Sequence, residues 1–409
     1  MELLSGVLRA YPWGSRTAIA QLRGEQPSAS PEAEFWFGAH PGGSSLVNDT
    51  PLIEMICRDP HATLGQRVFE KHGQRLPFLL KILAADEPLS LQAHPSRAQA
   101  EEGFERENAA GIEISDPKRN YKDNNHKPEL IVALTDFEAM AGFRPIAQTA
   151  EIFDALTCPE LERYRTMLIA DPAGEADDLR ALFTTWITIP TAARHELIDA
   201  LVVRARRYLA EHTSAGWIGE ALENFVHLAE LYPGDVGVLG ALLLNKLTLK
   251  PGEAIYLDAG QLHAYVRGTG VEIMANSDNV LRGGLTSKYV DVPELVRVLS
   301  FHSLDNVKVQ PVIEGSGWTQ YPVPIEEFAL STVTLGQGEQ QILDSAGPTI
   351  LLCTSGRAGI EQSSTMGCGD DGDHCLEIGP TQAIWIPAGE SNHKIIGLQE
   401  GTQVFRATV

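Results

Sequence analysis

The segment Leu89-Ser90-Leu91-Gln92-Ala93-His94-Pro95 alternates so strictly that Ser90, Gln92 and His94 share one strand face and Leu89, Leu91 and Ala93 the other. A carboxylate, Glu129, opens the apolar run Leu130-Ile131-Val132-Ala133-Leu134 directly after Pro128, a residue that fits the start of a strand because it has no ladder donor. His263 leads a third strand, in Gln261-Leu262-His263-Ala264-Tyr265, out of a turn at Gly260. Each segment alone also fits a blander account: a solvated strand face, a solvated strand end, a histidine satisfied within the fold. Together Gln92, His94, Glu129 and His263 offer two imidazoles, a carboxylate and an amide oxygen, and imidazole with carboxylate suits Zn²⁺. No thiolate joins the set, which argues against a closed structural zinc and for a site that keeps a position for water or substrate. An amide oxygen is an unusual ligand, so spacing by itself leaves the metal open.

A fourth segment, Asn276-Ser277-Asp278-Asn279-Val280-Leu281-Arg282-Gly283-Gly284, joins donors, a cation and adaptable backbone, as a loop gripping a small polar ligand requires. Arg282 and Lys288 are local cations in an acidic chain and would attract an anion such as a phosphate ester. A hydrated turn with an exposed arginine is the alternative. His40 and Tyr265 are further candidates for the pocket wall, with simple packing equally open to both.

Elements must position these groups. The first ~150 residues mix short apolar runs with Gly and Pro punctuation and read as strands and turns. From Ile146 to about Leu231 apolar residues recur at three to four positions, as in Glu196-Leu197-Ile198-Asp199-Ala200-Leu201, which is helix periodicity. Tyr232-Pro233-Gly234-Asp235 ends that block, and from Lys308 to the end the pattern is again short strands. Ala254-Ile255-Tyr256-Leu257-Asp258-Ala259-Gly260 before His263 resembles Ala383-Ile384-Trp385-Ile386-Pro387-Ala388-Gly389 before His393, so two related β units are expected, each a strand, a glycine turn and a strand led by histidine. The helical stretch reads as an insertion into the first.

Composition narrows the partners. The 409 residues carry 32 basic and 54 acidic side chains, a formal charge of −22, and no basic stripe, so nucleic acid is excluded as a partner and anionic membrane disfavoured. Five scattered cysteines argue against a disulfide framework, and with no leader-like start and no stretch near ~20 apolar residues a cytoplasmic protein is expected. The acidic segment between Cys368 and Cys375 reads as a solvated hairpin tip rather than a metal loop.

The motifs Leu91-Gln92-Ala93-His94-Pro95, Asn125-His126-Lys127-Pro128-Glu129, Leu262-His263-Ala264-Tyr265, and Ser277-Asp278-Asn279-Val280-Leu281-Arg282 with Thr286-Ser287-Lys288-Tyr289 resemble, in order and spacing, those of the zinc-dependent type I phosphomannose (mannose-6-phosphate) isomerases. Glu34-Phe35-Trp36-Phe37-Gly38-Ala39-His40-Pro41 adds a further similar segment. The resemblance implies a mainly β protein: a catalytic cupin barrel (1–150 and 233–307), a helical insertion (151–232) and a degenerate cupin-like domain (308–409). It implies one Zn²⁺ on Gln92, His94, Glu129 and His263, a catalytic Arg282, proton handling by Lys127 and Glu272, and substrate contacts from Ser90, Lys288, Asp278 and Tyr265. The implied reaction is aldose to ketose interconversion of mannose 6-phosphate and fructose 6-phosphate through a cis-enediol, in a monomer or weak homo-oligomer. The main alternative is a non-catalytic sugar-phosphate-binding cupin, which would not need Arg282 together with Glu272; an iron cupin dioxygenase usually wants histidine-rich ligation, and a fused nucleotidyltransferase would need a Gly-rich nucleotide loop that is missing near the N-terminus. Thr286-Ser287-Lys288 and Gly260-Gln261-Leu262-His263 depart from common family patterns in loop residues rather than ligands. The C-terminal copy lacks a Gln-x-His partner upstream of His393, so no second metal is expected there.

Overall fold

The computed structural model describes residues 1–168, 174–212, 216–343, 347–362, 375–390 and 392–409. The expected hairpin tip between Cys368 and Cys375 falls outside them apart from Cys375 itself.

The first β unit is organised by one long strand, His263–Ala275. Its second half pairs antiparallel with Phe78–Ala85 on one side and with Glu129–Ala133 on the other. Its first half pairs instead with Phe137–Phe143 and touches Leu91–Ala93. The change of partners falls at Gly268, whose φ is +129° and where a Cβ would stand 2.7 Å from the carbonyl oxygen of Asp136. Only glycine tolerates that approach, so the strand can turn the corner between two sheets and carry His263 in one and Glu272 in the other.

Phe78–Ala85 is buried along its whole length, because both of its faces are covered. Phe78, Leu80, Ile82 and Ala84 pack outward with Tyr321, Leu330, Ile350 and Phe405 of the C-terminal strands. Leu83 and Ala85 pack inward with Ile131, Phe137 and Tyr265. Each buried leucine or phenylalanine contributes about 1.5–3 kcal/mol, so this shared core joins the two β units.

Helices occupy the middle of the chain as the periodicity predicts: Ile146–Leu156, Glu175–Ile187, Thr191–Glu211 and Gly216–Leu231, then a short Val236–Ala241. Their core also takes in Leu91, Ala93, Leu262 and Leu281, so the helical block backs the strands that bear the candidate ligands.

Two features differ from the sequence expectation. Residues 1–150 also contain the helices Leu52–Arg58, Pro60–His72 and Arg97–Ala109. Asp59 caps the second through Ala62 N at 2.9 Å, and Ser96 with Gln99 forms a capping box on the third. The nine-stranded sheet of the C-terminal part also contains Glu2–Ser5, Leu46–Val47 and Thr50–Pro51, with Glu2 opposite Trp385. The sheet thus crosses the boundary expected at residue 308. Ala254–Leu257 with His263, and Ala383–Ile386 with His393, do repeat one strand-turn-strand arrangement. No helix among the described residues is long and apolar enough to cross a membrane.

Candidate metal and sugar-phosphate site

Three strands set one row of side chains. His263 lies opposite Gln92, and Gln92 opposite Arg282. Directly opposed residues of an antiparallel sheet point to the same face, so imidazole, amide and guanidinium project together. Leu91 and Ala93 face the helical core, as the alternation predicts.

His94 follows that strand, and its Nδ1 lies 2.8 Å from the carbonyl oxygen of Asn279. His263 Nδ1 lies 2.9 Å from the carbonyl oxygen of Gln261. A carbonyl only accepts, so each Nδ1 carries the hydrogen and each Nε2 presents a lone pair. Both Nε2 atoms stand 3.4 Å from Glu129 Oε2, and the three ligand atoms lie within 4.8 Å of one another. His94 Nε2 is buried without a hydrogen-bond partner. Burial first, then the charge of Lys127, lowers the His94 pKa to about 4, so the ring is neutral near pH 7. Three buried acceptors facing one another with no hydrogen to share repel unless a cation joins them; the donor set fits a bound divalent metal.

Glu129 has a second partner. Its Oε1 is 2.7 Å from Lys127 Nζ. Burial opposes ionisation of this carboxylate, yet the charge of Lys127 beside it holds its pKa well below the ordinary range. The loop that brings Lys127 in is latched by Asn279, whose Nδ2 donates to the carbonyl oxygens of Asp123 and Asn125, each at 2.8 Å.

Next to this group, with Gln92 and Lys127 between, lies a cavity of about 480 Å³, to whose wall Ser90, Gln92, Lys127, Asp278, Arg282 and Lys288 contribute. Arg282 makes no ion pair among the described residues, and burial alone lowers its pKa. Lys288 is exposed, and its pKa is lowered by partial burial and then by Arg282. Asp278 lies 3.4 Å from His40 Nε2, and both border the cavity.

Glu272 and Tyr265 sit elsewhere than the sequence implies. Glu272 is 2% exposed and lies behind the wall, where its Oε2 accepts from Lys81 Nζ at 2.9 Å and its Oε1 from Tyr265 OH at 2.9 Å. Tyr265 therefore supports Glu272 and does not border the cavity. Lys81, which the motifs did not single out, does border it, together with Glu34 at 3.5 Å. Burial works against the ammonium of Lys81, but Glu272, Glu34 and Glu129 outweigh it and keep the group protonated. The available signal was a lysine inside the apolar run Phe78-Leu79-Leu80-Lys81-Ile82-Leu83, since a buried charge must be paired.

Comparison with known proteins fits this geometry. The model of the type I phosphomannose isomerase catalytic domain matches residues 1–146, and that of the type I C-terminal domain residues 320–365. The chain is 37% identical over 401 residues to the mannose-6-phosphate isomerase of Escherichia coli (strain K12), covering 96% of each. The chain belongs to the type I phosphomannose isomerase family. The phosphomannose isomerase relative of Schizosaccharomyces pombe is 35% identical, with 93% of each chain covered. A solved mannose 6-phosphate isomerase bound with zinc and yttrium superimposes with a TM-score of 0.86 at 33% identity, over 100% of this chain and 99% of that one. A variant of phosphomannose isomerase from Salmonella typhimurium gives 0.87 at 33% identity with the same coverage. The fold is accordingly the cupin type of this family: mainly β, with a helical part and a second β unit.

Proposed function

We propose that the chain interconverts D-mannose 6-phosphate and D-fructose 6-phosphate through a cis-enediol, with one Zn²⁺ per chain held by His94, Glu129, His263 and Gln92. The observation that carries this assignment is the convergence of two imidazole nitrogens on one carboxylate oxygen, each 3.4 Å from it, beside a cavity lined by Gln92, Lys127 and an arginine with no ion pair among the described residues. A bound Zn²⁺ supplies Lewis-acid polarisation of the sugar's carbonyl and hydroxyl oxygens.

The chain's own groups do the rest. Lys127, in the cavity wall beside Glu129, carries the proton from C2 to C1, a step for which general acid-base help is typically worth about 10² to 10⁴. It can accept that proton only after giving up one of its own, since here its ammonium group is ion-paired with Glu129 at 2.7 Å. Glu272, behind the wall, acts through Lys81: it fixes a protonated Nζ that donates toward the oxygen where negative charge develops. Tyr265 holds Glu272 in place for this task. Arg282 adds a fixed cation on the other side, and Ser90 with Lys288 receives the phosphate. Asp278, oriented by His40, contacts the sugar hydroxyls.

In this account residues 1–150 and 233–307 form the catalytic cupin, 151–232 the helical insertion and 308–409 the second cupin-like domain, with Glu2–Ser5, Leu46–Val47 and Thr50–Pro51 lent to the second unit's sheet and Lys308–Val309 to the first's. Each chain holds a full ligand trio and an adjoining cavity, so catalysis needs no residue from a second copy; the proposed form is a monomer or weak homo-oligomer in the cytoplasm. A coupled assay tests the function: the zinc-loaded chain converts mannose 6-phosphate to fructose 6-phosphate. A chain that binds the sugar phosphate without converting it is a non-catalytic cupin instead.

A further inference from the structure

We propose that Asp235 and Tyr232, in the turn where the helical block rejoins the β unit, are positioning residues that set the phosphate end of the cavity, an inference that rests on the phosphosugar function above. Neither residue belongs to the motifs that carry the ligands, and neither contacts His94, Glu129 or His263.

Tyr232 OH donates to the carbonyl oxygen of Pro88 at 2.9 Å, two residues before Ser90. Asp235 reaches the opposite loop. Its Oδ1 accepts from Gly237 N, capping the short helix Val236–Ala241, and also from Leu285 N, each at 2.7 Å. Leu285 has φ +54°, a left-handed conformation that a leucine adopts only when its surroundings impose it. The residue before it, Gly284, has φ +131°, and a Cβ there would meet Gly237 N at 2.4 Å and Asp235 Oδ1 at 2.8 Å. The backbone of the loop is thus pressed against the helical turn and held by the Asp235 carboxylate. Thr286 and Lys288 follow at once, and Lys288 N donates to Thr286 Oγ1 at 3.1 Å. Lys288 is exposed, so its place at the cavity depends on the backbone that precedes it.

One turn therefore braces both loops that meet the phosphate: the Ser90 side through Tyr232 and the Lys288 side through Asp235. The turn that ends the helical block gains a role in substrate affinity from this arrangement: Asp235 acts from outside the cavity, while Tyr232 borders it beside Pro88.

The test uses the zinc-loaded full chain and four variants. Asp235→Ser keeps a helix cap but is too short to reach Leu285 N, Asp235→Ala loses both bonds, Asp235→Asn keeps an acceptor oxygen, and Tyr232→Phe loses only the hydroxyl. KM and kcat for mannose 6-phosphate, the inhibition constant of inorganic phosphate and bound zinc are measured for each. The Ser and Ala variants should raise KM and the phosphate inhibition constant together by about tenfold, with kcat changed by less than about threefold and zinc retained. Tyr232→Phe should move both in the same direction by less, and Asp235→Asn should restore them to within about twofold of the parent. A Ser variant with parental KM and phosphate inhibition overturns the proposal, as does a rise in KM that inorganic phosphate does not mirror. A parent chain that neither converts mannose 6-phosphate nor is inhibited by phosphate overturns the underlying function before any variant is made.

Discussion

Lys81 and Glu272 face each other across adjacent strands, paired in register and bonded at 2.9 Å, with side chains only 6% and 3% exposed. A buried ion pair of this kind is costly to break and often neutral to replace as a unit. Glu272→Gln should therefore lower stability by about 3 kcal/mol or more, because it leaves the Lys81 charge short of its main partner. Lys81→Met combined with Glu272→Leu should regain most of that loss while remaining inactive. Urea denaturation with turnover on the same samples checks both halves; an active double variant would show that the pair serves the fold alone.

Arg282 is a different kind of cation. It has no ion-pair partner among the described residues and pays only for its burial, so the fold does not depend on it. Arg282→Ala should leave bound zinc and the unfolding midpoint unchanged and lower kcat by about 10² to 10³. A variant with parental kcat and raised KM would make Arg282 a binding group only.

Lys127 is the proposed proton carrier, and hydrogen exchange reads that role without relying on net turnover. Lys127→Met should lose exchange of the C2 hydrogen with solvent by about 10² or more while zinc stays bound. Exchange at the parental rate in that variant would assign the proton to another group.

Glu327 joins the C-terminal part to the first β unit, with Oε1 at 2.7 Å from Arg97 Nη2 and 2.8 Å from His126 Nε2. Burial opposes its ionisation, but the His126 hydrogen bond and charge, with Arg97, outweigh it and lower its pKa to about 2. A carboxylate depressed in the folded state contributes stability above its unfolded pKa of about 4.3 and loses it as pH falls toward the folded value. Glu327→Gln should thus be less stable than the parent near pH 7, with the gap closing below about pH 4. Denaturation curves across that range test it, and a gap that stays constant with pH would refute the ionic contribution.

The candidate ligands were legible because each sits at a position that local sequence defines. Gln92 and His94 stand in a strict alternation, Glu129 follows a proline that starts a strand, and His263 follows a glycine turn. The helical block was equally legible, since Leu197, Ile198, Leu201 and Ala205 line one buried stripe. What could not be read were pairings between distant segments. Nothing local tells that Glu2–Ser5 joins Ala383–Ile386, or that Tyr265 OH points to Glu272 and so away from the cavity. Lys81 and the capped helices at Asp59 and Ser96 did leave local marks, a charge in an apolar run and N-cap residues.

Zinc content and mannose 6-phosphate turnover, measured on one sample before chelation, after it and after re-addition of Zn²⁺, test the central claim most directly. One zinc per chain, with turnover lost and restored in proportion to it, is the predicted result. Turnover that survives complete metal removal would contradict it.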